Sequence, residues 1–312
     1  MAPKTRKKQP AKKKKVAVKP VKLPVSAWFG PAGYPIEFKG RLPDVAAFLA
    51  QEGLNAFEYQ AVRGVRVRQE EAELLRREAK RLGIRVSIHA PYYINLAATE
   101  PEKLERTFGH LLSSLRAAQW MGAYVVVFHP ASVGKHPTRE DAFRATLRNL
   151  KEVAERADSE GLLKTAKLGP ELTGKKGQIG SLEEIVELCL KVEGCVPVID
   201  WAHLHARRGG WLRGKKRVLQ VLEYIEKELG REIATNLHCH FSYIEYTDKG
   251  ERRHHTIADG ERLGYGPRYD HVASALIEFG AHPVIISESP ILDKDAIVMR
   301  DRYIKLAKRR KR

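Results

Sequence analysis

Nine residues of this 312-residue chain are of the types that hold transition metals, and six of them close short apolar runs. His89 ends the run in VSIHAPYYINL and His129 the run in VVVFHPAS. Glu171 follows in GPELTG, Asp200 in VPVIDWAH, His238 in NLHCHFS and Glu288 in VIISESP. The apolar, mostly β-branched residues before them mark buried strands, so each polar residue sits where a strand leaves the core. Three further candidates lie in loops: His203, three residues after Asp200, and Glu251 with His254 in KGERRHH. Imidazole and carboxylate without thiolate suit zinc, manganese or iron(II). One ion takes about four ligands, so a set of this size implies two or three ions. Carboxylates gathered at one mouth repel unless a cation holds them. Such a cluster can bind a phosphate oxygen, generate hydroxide near neutral pH and stabilise a departing alkoxide. His240 shares the face of His238 by strand alternation, as its supporting partner or its replacement. Cys239 points to the opposite face and reads as buried and inert.

Bringing these residues together requires successive strand ends at one rim. The spacing predicts strands over Val25–Phe29, Leu54–Tyr59, Arg85–His89, Tyr124–His129, Ala166–Leu172, Val196–Asp200, Ala234–His240 and Pro283–Glu288. Apolar periodicity predicts helices over 69–82, 101–121, 138–160, 181–192, 215–229 and 268–279. Thr138 with Asp141, and Ser181 with Glu184, have the spacing of capping boxes. Eight strands alternating with helices predict an α/β protein with a closed (β/α)8 TIM barrel, whose chemistry sits at the C-terminal strand ends. An open doubly wound sheet is disfavoured, because the chain has no G-x-G-x-x-G fingerprint, no phosphate-binding G-x-x-x-x-G-K-[ST] loop and no G-x-S-x-G elbow.

The net charge of +18 first suggests a polyanion partner. Its distribution is uneven. Residues 1–24 hold ten Lys and Arg and no acid, and residues 305–312 hold six more and no acid. Subtracting both from the 56 basic residues leaves 40 against 38 acids over residues 25–304, a nearly neutral body. The expected organisation is a disordered basic tail over 1–24, a barrel over 25–305 and a basic C-terminal tail over 306–312. The tails read as solubilising segments or as non-specific phosphate-binding arms, whose affinity would fall steeply with salt. No apolar run reaches the roughly 20 residues of a membrane helix, and no secretory signal is expected. Three scattered Cys make no disulfide framework and suit a reducing compartment. A cytoplasmic, nucleoid-associated monomer is expected, with a nuclear location also compatible with the basic tail.

These motifs, in this order, resemble the endonuclease IV family of apurinic/apyrimidinic endonucleases, on the xylose-isomerase-like barrel. The most specific piece is SIHAPYYINL, and FHP, GPELTG, D-x-x-H, the late His pair and the final strand's Glu follow in family order over residues 25–305. The resemblance implies one zinc on His89 and His129, a second on Asp200, His238 and Glu288, and Glu171 bridging the two. It implies a third on His203, His254 and Glu251. Glu171 and Glu288 would act in catalysis with a metal-bound hydroxide. The third set departs from the family pattern, where an Asp precedes the His by two positions; here Arg252 holds that place and Glu251 stands three before His254. Tyr92 and Tyr93 would enter the DNA at the lesion, with Arg63 or Arg66 as an inserting arginine. An abasic site is already unstacked, so extruding it is cheap and therefore selective.

The function implied by the resemblance is a metal-dependent abasic-site endonuclease of base excision repair. It would act on double-stranded DNA and cut the phosphodiester 5′ to the lesion to leave a 3′-hydroxyl. The cofactor would be two or three zinc ions, with manganese or iron as substitutes. A sugar isomerase or epimerase on the same barrel is the alternative, because fold alone does not decide function. A non-catalytic DNA-binding protein working through its tails is the third, and the nine ligand-type residues argue against it.

Overall fold

Each apolar run read above is a strand in the structure, a computed structural model that describes residues 18–310. In chain order the strands are β1 (Trp28–Pro31), β2 (Ala56–Gln60), β3 (Arg85–His89), β4 (Val125–Phe128), β5 (Ala131–Ser132) and β6 (Lys167–Pro170). Then come β7 (Gln178–Ile179), β8 (Val198–Asp200), β9 (His238–Phe241), β10 (Tyr243–Thr247), β11 (Gly250–His255) and β12 (Val284–Ser287). The helices are α1 (Val45–Gln51), α2 (Gln69–Leu82), α3 (Pro101–Met121), α4 (Arg139–Ser159), α5 (Leu182–Lys191) and α6 (Trp201–Arg207). They continue with α7 (Lys215–Leu229), α8 (Arg231–Thr235), α9 (Ile257–Leu263), α10 (Tyr269–Phe279) and α11 (Asp293–Arg310).

Two parallel four-stranded sheets, β2-β3-β4-β6 and β1-β12-β9-β8, form the wall. Parallel bridges from Ala32 to Glu58 and from Glu171 to Val198 join their edges, closing eight strands into a barrel. The small strands β5 with β7, and β10 with β11, are antiparallel additions in the loops. Local chemistry explains the helix ends. Thr138 Oγ1 accepts from Asp141 N, and Ser181 with Glu184 forms a reciprocal capping box. Gly30 has no room for a side chain, because a Cβ there would lie 1.9 Å from the Ala56 carbonyl oxygen of β2.

Alternation along the strands gives the barrel two cores. Outward residues such as Phe57, Ile88, Ile199, Cys239 and Ile285 pack under the helices. Inward apolar residues form small layers inside: Ala56, Val284 and Ile286 on one side, and Val125, Val127 and Val198 on the other. The Arg85 guanidinium stacks over the rings of Trp28 and Tyr124, at 4.7 and 4.2 Å. Towards the C-terminal strand ends the inward positions turn polar.

Three expectations need correction. Residues 18–24 pack on the barrel rather than standing off as a tail: Val18, Val21 and Leu23 lie against the core, and Val21 N donates to Leu82 O. The remainder of the basic N-terminal tail lies outside the described residues. The basic C-terminal segment is helical through Arg310 as the end of α11, with Leu306 against the core. The seventh barrel strand starts at His238 instead of Ala234, because residues 231–235 form the short helix α8.

Asn55 ties the first strands together. Its Oδ1 accepts from Phe29 N at 2.7 Å and its Nδ2 donates to Ala27 O at 3.1 Å, in a buried setting. Asn55→Ala would leave a buried N–H and a buried carbonyl unpaired, so a loss of about 2–4 kcal/mol in unfolding free energy is expected, read from the denaturant midpoint.

Candidate metal centre

The barrel's strand ends present the candidate ligands at two levels. By register Asp200 pairs with His240, whereas His238 pairs with Val198 and Val284. Two residues of strand rise about 6.6 Å, so His238 lies one layer deeper than the rim. The structure therefore puts His240, not His238, beside the rim carboxylates. His240 Nδ1 lies 2.9 Å from Glu171 Oε1 and 3.2 Å from Glu288 Oε1. His238 faces inward to Glu58 Oε2 at 2.9 Å and to the Tyr124 hydroxyl at 2.5 Å.

Glu58, inward-facing on β2, is the residue that sequence reading missed. It is fully buried and accepts from Ser87 Oγ at 2.9 Å and Gln60 Nε2 at 3.0 Å, besides the two imidazoles. Burial opposes its ionisation, but His240 and His238 outweigh this and hold its carboxyl well below the usual range. The signal was faint: a single Glu at an inward position of an apolar strand, in NAFEYQ. With Glu58 an ionised acceptor, His240 Nε2 carries the proton and Nδ1 turns a lone pair to the rim.

The same tautomer logic runs through the rim. His89 Nδ1 donates to Ala90 O at 2.9 Å, so its Nε2 lone pair faces Glu171 Oε2 at 3.1 Å. His129 Nε2 lies 3.1 Å from the same oxygen. His203 Nδ1 donates to Leu172 O at 3.0 Å, so its Nε2 faces Glu251 Oε2 at 2.9 Å. Asp200 Oδ1 caps α6 by accepting from His203 N, while its buried Oδ2 has no donor. Neutral imidazole nitrogens facing carboxylate oxygens are acceptors facing acceptors. A proton or a cation must lie between them. The donor chemistry fits divalent metals of the zinc, manganese or iron(II) type.

Three sets of ligand atoms at the rim each lie within 4.8 Å of one another: His89, His129 and Glu171; Glu171, Asp200, His240 and Glu288; and His203, His254 and Glu288. Glu171 and Glu288 each belong to two sets, so the three are contiguous. A fourth set, Glu58, His238 and His240, lies beneath, but Glu58 there is already satisfied by four donors.

Glu251 reaches the centre through two local devices. The β10–β11 pairing skips one residue: Glu245 pairs with Arg253 and Tyr246 with Glu251, so Arg252 is a β-bulge. A bulge reverses strand alternation beyond it. Residues three apart, Glu251 and His254, then share a face, while Arg252 turns away to Glu245 at 2.6 Å. The second device is Gly174 in GPELTG, where a Cβ would lie 2.2 Å from Glu251 Oε2.

Charge coupling is strong at this rim. Burial alone would lower His89, but Glu171 first, with Glu58 and Glu288, raises it to about 9. His203 and His240 are raised for the same kind of reason, against burial, by Asp200 and Glu251 and by Glu58 and Glu171. Burial opposes ionisation of Glu251 and Glu288, yet His203 and His240 respectively bring each down to about 2. Asp200 moves the other way, to about 6, through burial and the neighbouring Glu288 and Glu171.

At the same mouth Tyr92 and Tyr93 are half-exposed, with ring centroids 4.6 Å apart. The exposed Arg63 and Arg66 are close enough to act electrostatically on the Tyr93 hydroxyl. His136 is not drawn into the cluster, since its Nε2 meets Ala97 O at 2.7 Å.

Residues 46–302 match the family described as the xylose isomerase-like TIM barrel. An uncharacterized protein of Methanocaldococcus jannaschii is 32% identical over 89% of this chain and 97% of its own length. A probable endonuclease 4 of Aquifex aeolicus is 27% identical over 54% of this chain and 60% of its own length. Among solved structures, endonuclease IV of Thermus thermophilus superposes with a TM-score of 0.64 at 20% identity, covering 87% of this chain and 97% of that one. A D-tagatose 3-epimerase-like protein gives 0.63 at 18% identity, covering 87% and 96%.

The raised His89 sets a pH dependence for the metal-free protein. Its ion-pair stabilisation is full below about 6.5, the unfolded value, and is lost as pH rises through about 9. Chelated protein is expected to lose melting temperature across that interval. Zinc-supplemented protein, whose ligands need no proton, should hold its melting temperature there.

Proposed function

The chain belongs to the xylose isomerase-like TIM barrel family, and from that premise we propose that it is a metal-dependent abasic-site endonuclease of DNA base excision repair. It acts on double-stranded DNA, hydrolysing the phosphodiester 5′ to the lesion to leave a 3′-hydroxyl. The observation that carries this reading is the size of the donor set. Three contiguous ligand groups share Glu171 and Glu288 at one mouth, more than a single ion needs.

The ligand assignment proposed is His89 and His129 for one ion, Asp200, His240 and Glu288 for a second, and Glu171 between them. His203, His254 and Glu251 are assigned to a third. Divalent ions held there would neutralise the scissile phosphate, acidify a water and stabilise the leaving 3′-oxygen. The chain's own groups do the rest. Glu58 fixes the His240 tautomer through Nε2, and Ser242 Oγ, 2.7 Å from His254 Nδ1, holds that ring. Glu288 is the more accessible of the two carboxylates that join the groups, so it is assigned the proton of the attacking water. Glu171, with no exposed surface, is assigned to hold the groups in register. Tyr92 and Tyr93 supply aromatic surface at the lesion, and Arg63 and Arg66 offset flanking phosphates.

The epimerase reading draws on the fold likeness to a tagatose-epimerase-like protein, and metal counting separates it from the nuclease reading. Two or three ions per chain are expected by elemental analysis, against one for an epimerase. A synthetic abasic duplex should be incised by the protein, not by its chelated form, and again after zinc or manganese add-back. His129→Ala or Glu171→Ala should lower kcat/KM by about 10³-fold, several kcal/mol of transition-state stabilisation. Incision unaffected by either substitution, or none with any metal, would overturn the assignment. Gly174→Ala should displace the Glu251 carboxylate and reduce the metal count by one, leaving the other two ions bound.

A further inference from the structure

Behind the β10–β11 hairpin lies a second cavity, of about 1080 Å³, into which none of the nine metal-type residues named above projects. The two sites share walls. Helix α6 carries His203 at the metal centre and His205 in this cavity, on opposite faces because two residues turn a helix by about 200°. Strand β10 lends Tyr243 and Tyr246 to the cavity, while its partner β11 carries Glu251 and His254.

Charge in this cavity is unbalanced. Arg213, Arg268, Arg302, Lys305 and Arg309 line it, against the acids Glu261 and Asp270. Both acids turn to Arg302, at 2.5 and 3.8 Å. Arg213 spends its Nε on the Gly210 carbonyl. Among the described residues Lys305 and Arg309 have no ion-pair partner, and Arg268 has none within 4 Å although Glu261 feels its charge. Arg302, Lys305 and Arg309 recur at helical spacing along one face of α11, and a concave wall concentrates their field. His205, only 6% exposed, lines the same cavity and is held by a hydrogen bond to the Leu212 backbone.

Two properties define what fits. Uncompensated guanidinium and ammonium groups select an anion with several oxygens, of which phosphate is the best match to arginine. The volume exceeds what inorganic phosphate needs and is that of a whole organic ligand, and the partly exposed Tyr246 and Tyr265 supply flat walls for a ring. We propose that this cavity binds a phosphorylated, ring-bearing small molecule of mononucleotide size, with phosphate at Arg268, Lys305 and Arg309 and the ring against the tyrosine wall. The site stands apart from the phosphodiesterase reading, and either can fail without the other.

The test is calorimetric titration of the zinc-loaded full chain with adenosine 5′-monophosphate, adenosine and inorganic phosphate. The monophosphate should bind at one per chain, at least tenfold tighter than either fragment. Arg268→Ala with Arg309→Ala, both exposed side chains, should weaken it at least tenfold while the protein stays folded and its metal content is unchanged. Glu171→Gln, a change at the metal centre, should leave it intact. Three results would overturn the proposal: affinity unchanged in the Arg268/Arg309 variant, affinity lost only in Glu171→Gln, or inorganic phosphate binding as tightly as the nucleotide. Tyr246→Ala gives a second reading, with loss expected for the nucleotide and none for phosphate.

Discussion

Buried carboxylates facing imidazole lone pairs are the constraint around which this barrel is organised. Glu171 is the extreme case, with both oxygens within about hydrogen-bond distance of ring nitrogens from four histidines and no solvent exposure. Removing such charges from water costs several kcal/mol per ion unless positive charge comes with them. In the protein alone, protons on His89, His203 and His240 supply that charge, which is why these rings hold protons so firmly. A divalent ion would supply it without a proton. The tautomers are set for that exchange, because Ala90 O, Leu172 O and Glu58 fix the far nitrogen of three rings.

The scaffold answers this need by layering. Below the rim, Glu58, Ser87 and His238 form a fully hydrogen-bonded polar layer, and below that come Trp28, Arg85 and Tyr124. A polar network inside a barrel is tolerated only when every member has a partner. Glu58 meets that condition with donors from β3, from its own strand and from β9. The layer therefore ties strand register to the rim: a slip of β9 by two residues towards the barrel floor would put His240 opposite Val198 and Ser242 opposite Asp200, leaving the rim without its buried imidazole.

That register shows what a sequence discloses and what it withholds. The eight strands and the long helices were legible because apolar periodicity and caps are local, and α2, α3 and α7 have the expected bounds. Rim residues that directly close an apolar run, such as His89 and Asp200, were legible for the same reason. The choice between His238 and His240 was not, since both lie on the inward face and only pairing with Asp200 separates them. Glu58 was hidden because its significance depends on β9, far along the chain. The short helix α6 was hidden as well: D-x-x-H read as a loop pair, whereas Asp200 is the cap that starts a helix and so aims His203.

The third ligand set proposed, His203, His254 and Glu251, depends on a departure from regular strand geometry. An acid three residues before a histidine should face away from it on a regular strand, so Glu251 looked poorly placed beside the two-residue spacing of the resembled family. The bulge at Arg252 removes the difficulty by inserting one residue into β11, which restores a common face for Glu251 and His254. The extra residue finds a partner of its own in Glu245, and Gly174 clears the space the longer carboxylate needs. Chain length, side-chain length and a glycine in a distant loop thus compensate one another. Glu251 Oε2 thereby meets His203 Nε2 at 2.9 Å despite the different local spacing, so spacing alone understates the site. What a ligand set requires is a shared face, and a bulge can supply that as well as a motif can.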